Sequence, residues 1–249
     1  MLRKRLITVL TFNNGVLFRT KLFNPDYRYT HNFVDAWLVD EVVALDITRP
    51  ETGQRENFYK MVQHIARRCF VPLAVGGGVS TVEEFKKLLS MGADKVIINT
   101  KAVKNPKLVS HAANLFGAQC VVVSIDAKKH DKKKYEVFTE FGSHPTGLEP
   151  AKWARQVQEL GAGEIMITSI DRDGSLEGFD NELNRMVSQA VDIPVIVCGG
   201  AGKWQDFVDG FVEGKAAAVC TANIYHFTET SIKSAKDFLF RAGMSVRAS

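Results

Sequence analysis

The chain of 249 residues has no long apolar run, no paired cysteines and no strong imbalance of charge. A helix that spans the lipid core needs about 20 consecutive apolar residues, and no stretch approaches that length, so no membrane partner is expected. The opening "MLRKRLITVL" is basic and then only briefly apolar. A secretory signal would need a longer apolar run and a cleavage site, so these residues predict a first strand. None of the cysteines Cys69, Cys120, Cys198 and Cys220 belongs to a CxxC pair, and each lies in or beside an apolar run. They are expected to be free, mostly buried thiols in a reducing compartment, hence a cytoplasmic protein. The six histidines show no metal-ligand spacing, and neither a metal nor another cofactor is expected. A net charge of +4 is too mild to imply a nucleic-acid partner and suits a small anionic substrate equally well.

What is present is a regular alternation. Hydrophobic residues make up 45% and charged residues 24%, enough for a large core without staples. Eight short apolar runs recur: 6–12, 41–48, 71–78, 95–100, 120–127, 164–171, 193–200 and 216–222. Amphipathic stretches such as 80–93 and 147–162 separate them. The first opens on Ser80 with Glu83 three residues on, a capping-box pattern. Apolar strands alternating with helices indicate a parallel sheet covered on both faces. Eight units predict an α/β fold of the (β/α)₈ TIM-barrel type, one domain over 1–249, rather than an open doubly wound sheet.

An internal repeat supports closure. "PLAVGGG" (72–78) aligns with "PVIVCGG" (194–200), Phe85 with Phe207, Gly92 with Gly214, and Glu41 with Glu164 one residue out of step. These matches predict two half-barrels, about 1–118 and 119–249.

In such a barrel the chemistry sits at the C-terminal strand ends. Gly77 and Gly78 with Asn99 and Thr100 form one constellation. Gly200 with Ala222 and Asn223 forms a second, to which Gly174 can add backbone donors. Glycine lets backbone N–H groups approach an anion. One pair alone reads as a tight turn, but two at equivalent places predict an elongated ligand with a phosphate at each end. "SIDRDG" (169–174) brings Ser169, Asp171 and Asp173 to the same mouth, Asp171 equally explained as a turn or cap residue. Asp126 closes an otherwise apolar strand, so a raised pKa and a role as general acid or base are expected. The competing role is a structural ion pair with Lys128. Asp46 faces the same choice. The matching first strand ends in Thr11 instead.

"FNNGVLFRTKLF" (12–23) carries an Asn-Gly hairpin signal and leads into a loop at 24–32. Arg19 and Lys21 on it either meet an anionic substrate or are merely solvated. Residues 128–141 predict a basic, solvated hairpin. At the opposite end, Arg5, Glu41, Lys95 and Glu164 each start a different strand. They predict a ring of alternating charge, either surface salt bridges or a gate to an interior passage.

Together these residues resemble the cyclase subunit of imidazole glycerol phosphate synthase, from end to end. The most specific pieces are "MLRKRLI", "LDIT", "VGGGV", "GADKVIINT", "AVKNP", "IDAK", "GAGEIMITSIDRDG" and "GGAGK". The resemblance implies a barrel with a glutaminase subunit docked on its base, forming a heterodimer. Ammonia would cross the barrel to a bis-phosphorylated ribulosyl substrate, giving imidazole glycerol phosphate and an aminoimidazole carboxamide ribotide. It further implies that Arg5, Glu41, Lys95 and Glu164 are the ammonia gate and that Asp94 faces the glutaminase. Gly77, Gly78, Asn99 and Thr100 would bind one phosphate, and Asp173, Gly174, Gly200, Ala222 and Asn223 the other. Arg19 stands where the family has a substrate-loop Lys. Asp126 matches one catalytic aspartate, but the second falls on Thr11, whose hydroxyl is no acid or base near neutral pH. The expectation is therefore a paralogue delivering ammonia to another acceptor, in the amidination of a nucleotide sugar for surface polysaccharide, with a sugar amidotransferase as a further partner. The alternatives are a true cyclase of histidine biosynthesis and a non-catalytic scaffold that activates the glutaminase.

Overall fold

The computed structural model describes residues 3–28, 39–49, 55–131, 134–222 and 231–247. Strand β1 (Arg5–Asn13) leads into the hairpin of β2 (Val16–Lys21) and β3 (Asn24–Arg28). Then come β4 (Glu41–Asp46), α1 (Glu56–Ala66), β5 (Leu73–Gly76), α2 (Val82–Ser90) and β6 (Lys95–Ile98). Helices α3 (Thr100–Lys104) and α4 (Lys107–Phe116) precede β7 (Val121–Asp131), which turns back through β8 (Lys134–Thr139) and β9 (His144–Pro145). The rest is α5 (Pro150–Glu159), β10 (Glu164–Ser169), α6 (Asn181–Ser188), β11 (Val195–Cys198), α7 (Trp204–Val212), β12 (Ala218–Thr221) and α8 (Ser231–Arg241).

Strands β1, β4, β5, β6, β7, β10, β11 and β12 pair in parallel in that order, and β12 returns to β1, so the sheet closes into the expected eight-stranded barrel. Strand period two divides the apolar residues between two layers. Ile7, Val9, Val43, Ala74, Ile97, Val122, Met166, Ile196, Ala218 and Cys220 fill the barrel interior. The alternate positions, with Leu6, Leu10, Val96, Val123 and Ile165 among them, pack against the helices. Phe85 of α2 and Phe207 of α7, matched in the repeat, are both fully buried in this outer layer. Each contributes roughly 1.5–3 kcal/mol relative to an exposed ring.

The same alternation carries function. Arg5, Ile7, Val9 and Thr11 form one inward row on β1, rising roughly 20 Å from base to mouth. Lys95, Ile97 and Asn99 form another, and Glu164, Met166 and Thr168 a third.

Four expectations need correction. The N-cap of α2 is Thr81, whose hydroxyl accepts from the Glu84 N–H at 3.2 Å. Glu84 rather than Glu83 reaches back, accepting from the Ser80 N–H at 2.7 Å, so the cap lies one residue later than the motif suggested. Residues 24–28 of the expected loop are β3, paired with β2, while 29–32 lie outside the described residues. The basic hairpin is solvated on one face only, since Tyr135, Val137, Phe138 and Thr139 of β8 are buried. The cysteines are free, but of the four only Cys220 is fully buried. One feature the sequence did not announce is a buried ion pair, Lys236 Nζ to Asp40 at 3.0 Å, that ties α8 to the start of β4.

Candidate active site

A cavity of about 940 Å³ opens at the C-terminal ends of the barrel strands. Thr11, Asp46, Gly77, Gly78, Asn99, Thr100, Asp126, Asp173, Gly174, Gly200 and Ala222 all line it. Residues up to 211 positions apart in sequence thus converge because every strand ends at the same rim. Asn223 lies outside the described residues. Arg19 sits on β2 opposite Tyr27 in register and is not among the lining residues; Thr20 and Phe23 are. Lys21 is exposed.

Asp126 occupies the cavity floor. Asn99 Nδ2 donates to its Oδ2 at 2.6 Å, and the Ser124 hydroxyl donates to Oδ1 at 3.3 Å. Protein atoms crowd the carboxyl even though the mouth leaves a path to solvent. This burial pushes its pKa up to about 7, against the opposing pull of the Asn99 and Ser124 hydrogen bonds and with a smaller push from Asp173. The expected partner Lys128 is exposed and pairs in register with Glu136. Asp126 is therefore a poised carboxyl with no direct cation, suited to exchanging a proton near neutral pH.

Thr11 has a different task. Its hydroxyl donates to the Phe18 carbonyl and fastens β1 to β2 above the mouth. The Asn14-Gly15 turn beneath has φ of 51° and 75°, the two-residue hairpin expected from the sequence.

The first glycine loop is held from outside the cavity. Gly77 has φ +99°, and an added Cβ would strike the Asp46 carbonyl. Arg55 then clamps the loop: Nη2 donates to the Gly77 carbonyl, Nη1 to the Gly78 carbonyl at 3.1 Å and to Glu84 at 3.1 Å. Arg55 Nε lies 3.5 Å from Asp46, so Asp46 takes the structural role considered for it. With its carbonyls held outward, the loop is disposed to offer backbone N–H groups to an anion. Thr100 accepts from the Glu140 N–H at 3.1 Å.

The second loop is built from β10, β11 and the first hairpin. Asp173 accepts from the Thr20 hydroxyl at 3.1 Å and the Phe23 N–H at 2.9 Å, pinning the β2–β3 turn over the mouth, and burial raises its pKa. Gly200 has φ +111°, with no room for a Cβ against the Gly178 carbonyl. Asp171 is exposed and accepts from the Lys129 N–H at 3.0 Å, a structural role. Ser169 is buried away from the cavity lining.

At the base, the four charged strand-start residues close a ring. Arg5 lies 2.8 Å from Glu41 and 2.8 Å from Glu164; Lys95 lies 2.9 Å from Glu41 and 2.8 Å from Glu164. Burial raises the Glu41 pKa against the pull of Lys95 and Arg5. For Arg5, burial acts downward, but Glu164 and Glu41 together push its pKa up. The surface-bridge alternative is excluded by position, since Glu41 is almost wholly buried. Asp94 is exposed at this end and accepts from the Leu73 N–H at 2.8 Å.

Residues 8–231 match the family described as Histidine biosynthesis protein. The chain belongs to that family. Members of the histidine biosynthesis family are generally enzymes, isomerases or cyclases, which agrees with a mouth that holds a titratable carboxyl between two glycine loops.

Within this family frame, three lining residues escaped the sequence reading. Arg55 lies outside any motif, and its partners come from β4, the first glycine loop and α2. Ser124 lies two residues before Asp126, where period two alone would have found it. Phe141, in the turn between β8 and β9, carried no signal in the sequence. Among the described residues no helix is long and apolar enough to cross a membrane, and no group of three or more His, Cys, Asp or Glu could hold a metal ion.

Proposed function

We propose that the chain is the cyclase-like barrel subunit of a glutamine amidotransferase. It passes ammonia from a partner glutaminase through the barrel to a phosphorylated acceptor at the mouth. The observation that carries this reading is the closed ring of Arg5, Glu41, Lys95 and Glu164 beneath an interior lined by Ile7, Val43, Ala74 and Val122. Four buried charges are costly unless they serve a purpose beyond stability, and an apolar bore admits neutral ammonia while excluding ions. The same end of the barrel exposes Phe70, Leu115, Val212 and Phe240, apolar surface suited to a partner. These side chains and Asp94 form the proposed glutaminase face.

The acceptor is proposed to be a nucleotide-sugar intermediate amidinated for surface polysaccharide, with a sugar amidotransferase completing the transfer. Support comes from Thr11, whose hydroxyl donates to the Phe18 carbonyl and supplies no acid or base opposite Asp126. Asp126 would then deprotonate ammonium or a nucleophile alone. Cyclisation to imidazole glycerol phosphate is the second reading, favoured by the raised pKa of Asp126 and by the two glycine loops facing one cavity.

The test mixes the chain with a cognate glutaminase. A stable one-to-one complex and stimulated glutamine hydrolysis are expected, and no association at micromolar concentration would remove the ammonia reading. Supplying free ammonium with the bis-phosphorylated substrate separates the two acceptors, because steady product formation would establish the cyclase.

A further inference from the structure

The turn that joins β8 to β9 holds two consecutive non-glycine residues, Glu140 and Phe141, at φ +52° and +59°. L-residues adopt that left-handed region only at a cost, and a bulky pair there needs outside support. The support is visible. Lys104 pairs with Glu140, the Thr100 hydroxyl accepts from the Glu140 N–H, and the Ser143 hydroxyl donates to the Glu140 carbonyl at 2.6 Å. A turn that needed only to reverse the chain would carry Asn or Gly at these positions. Here the conformation projects Phe141 to line the mouth cavity.

The ring is incompletely covered, and the Arg49 guanidinium lies 4.9 Å from its centroid. A cation beside an accessible aromatic face suits a planar ring that also bears negative charge. Across the mouth, the β2–β3 turn is built the same way, with Leu22 and Phe23 at φ +49° and +61°. Phe23 also lines the cavity, and its ring approaches the backbone of Gly142. Lys101 and Lys104 add positive charge to the rim below Phe141.

We propose that Phe141 and Arg49 form a stacking subsite for a planar ring carried on a phosphorylated sugar, and so determine which acceptor the mouth accepts. The proposal rests on the mouth being the acceptor site. A glycine loop alone recognises phosphate whatever it is attached to. The aromatic face adds selection for the attached ring. Two sources carry this chemistry: a nucleoside diphosphate, and an imidazole carboxamide ribotide.

The experiment measures binding of UDP, aminoimidazole carboxamide ribotide and inorganic pyrophosphate to the chain by calorimetry, with no glutaminase present. At least one ring-bearing probe should bind about tenfold or more tightly than pyrophosphate, and which one identifies the source. Phe141→Leu and Arg49→Gln should each erase that preference while pyrophosphate affinity stays unchanged, and Phe141→Trp should keep it. Equal affinity for all three probes, no binding of either ring-bearing probe, or a preference that survives Phe141→Leu would overturn the proposal. Because the glutaminase complex is measured separately, an intact complex without ring preference would discard the subsite and leave ammonia delivery standing.

Discussion

Thr11 and Asp126 hold matching positions in the barrel. Each ends the inward row of a long strand, and each faces a phenylalanine of the hairpin that follows: Thr11 opposite Phe18, Asp126 opposite Phe138. The two differ in what their side chains do. The hydroxyl of Thr11 closes a backbone contact, whereas the carboxyl of Asp126 is held by two donors at the cavity floor. One scaffold position thus carries a structural clasp in one half of the chain and a poised carboxyl in the other.

Thr11→Asp tests whether that clasp is what limits cyclisation. The variant loses the donor to Phe18 and gains a carboxylate across the cavity from Asp126. A loss of about 1–3 kcal/mol in stability is expected, read by urea unfolding. If cyclisation is latent, turnover of the bis-phosphorylated substrate with ammonium should rise at least about tenfold. A folded variant with no gain would show that the acceptor itself is different.

The raised pKa of Asp126 has a consequence for stability. The folded carboxyl keeps a proton, up to about pH 7, that the unfolded group releases near 3.8. This contribution is full below the lower value and is lost as pH rises through the upper one. Asp126→Asn removes the titration. The variant should melt higher than the parent at pH 8, on the order of 5 °C, with the difference shrinking toward zero near pH 4. Calorimetric scans at the two pH values decide it, and an equal shift at both would contradict the assignment. A reaction that needs Asp126 as a base should rise with pH through about 7.

Lys95→Met breaks the base ring on one side. Glu41 and Glu164 then share Arg5 alone, and a buried charge left unpaired costs about 3–5 kcal/mol. In complex with the glutaminase, amide nitrogen labelled in glutamine should escape to bulk solvent rather than reach the acceptor. Retained delivery with only a stability loss would make the ring purely structural.

The two glycine loops differ from the other turns in what surrounds them. Gly77→Ala and Gly200→Ala meet backbone carbonyls at positive φ and should each cost about 2–4 kcal/mol, with weakened phosphate binding. Gly243→Ala, also at positive φ but in open space, should cost about 1 kcal/mol and leave phosphate affinity unchanged. Parallel unfolding and phosphate titration of the three variants separate loop geometry from general strain.

The sequence by itself determined the barrel. Period-two apolar strands at regular spacing, the duplicated "PLAVGGG" and "PVIVCGG", and charged residues at four strand starts are local patterns, and local sterics and burial alone dictate what they form. The Asn-Gly turn and the poised Asp126 were legible for the same reason. Only the tertiary structure decided which residues act together. Arg55 clamps a loop 22 and 23 positions away, Asn99 rather than Lys128 meets Asp126, Thr11 is tied to Phe18, and Phe141 reaches the mouth. Those contacts depend on where separate strands and hairpins end around a closed sheet, a relationship that hydrophobic period does not encode.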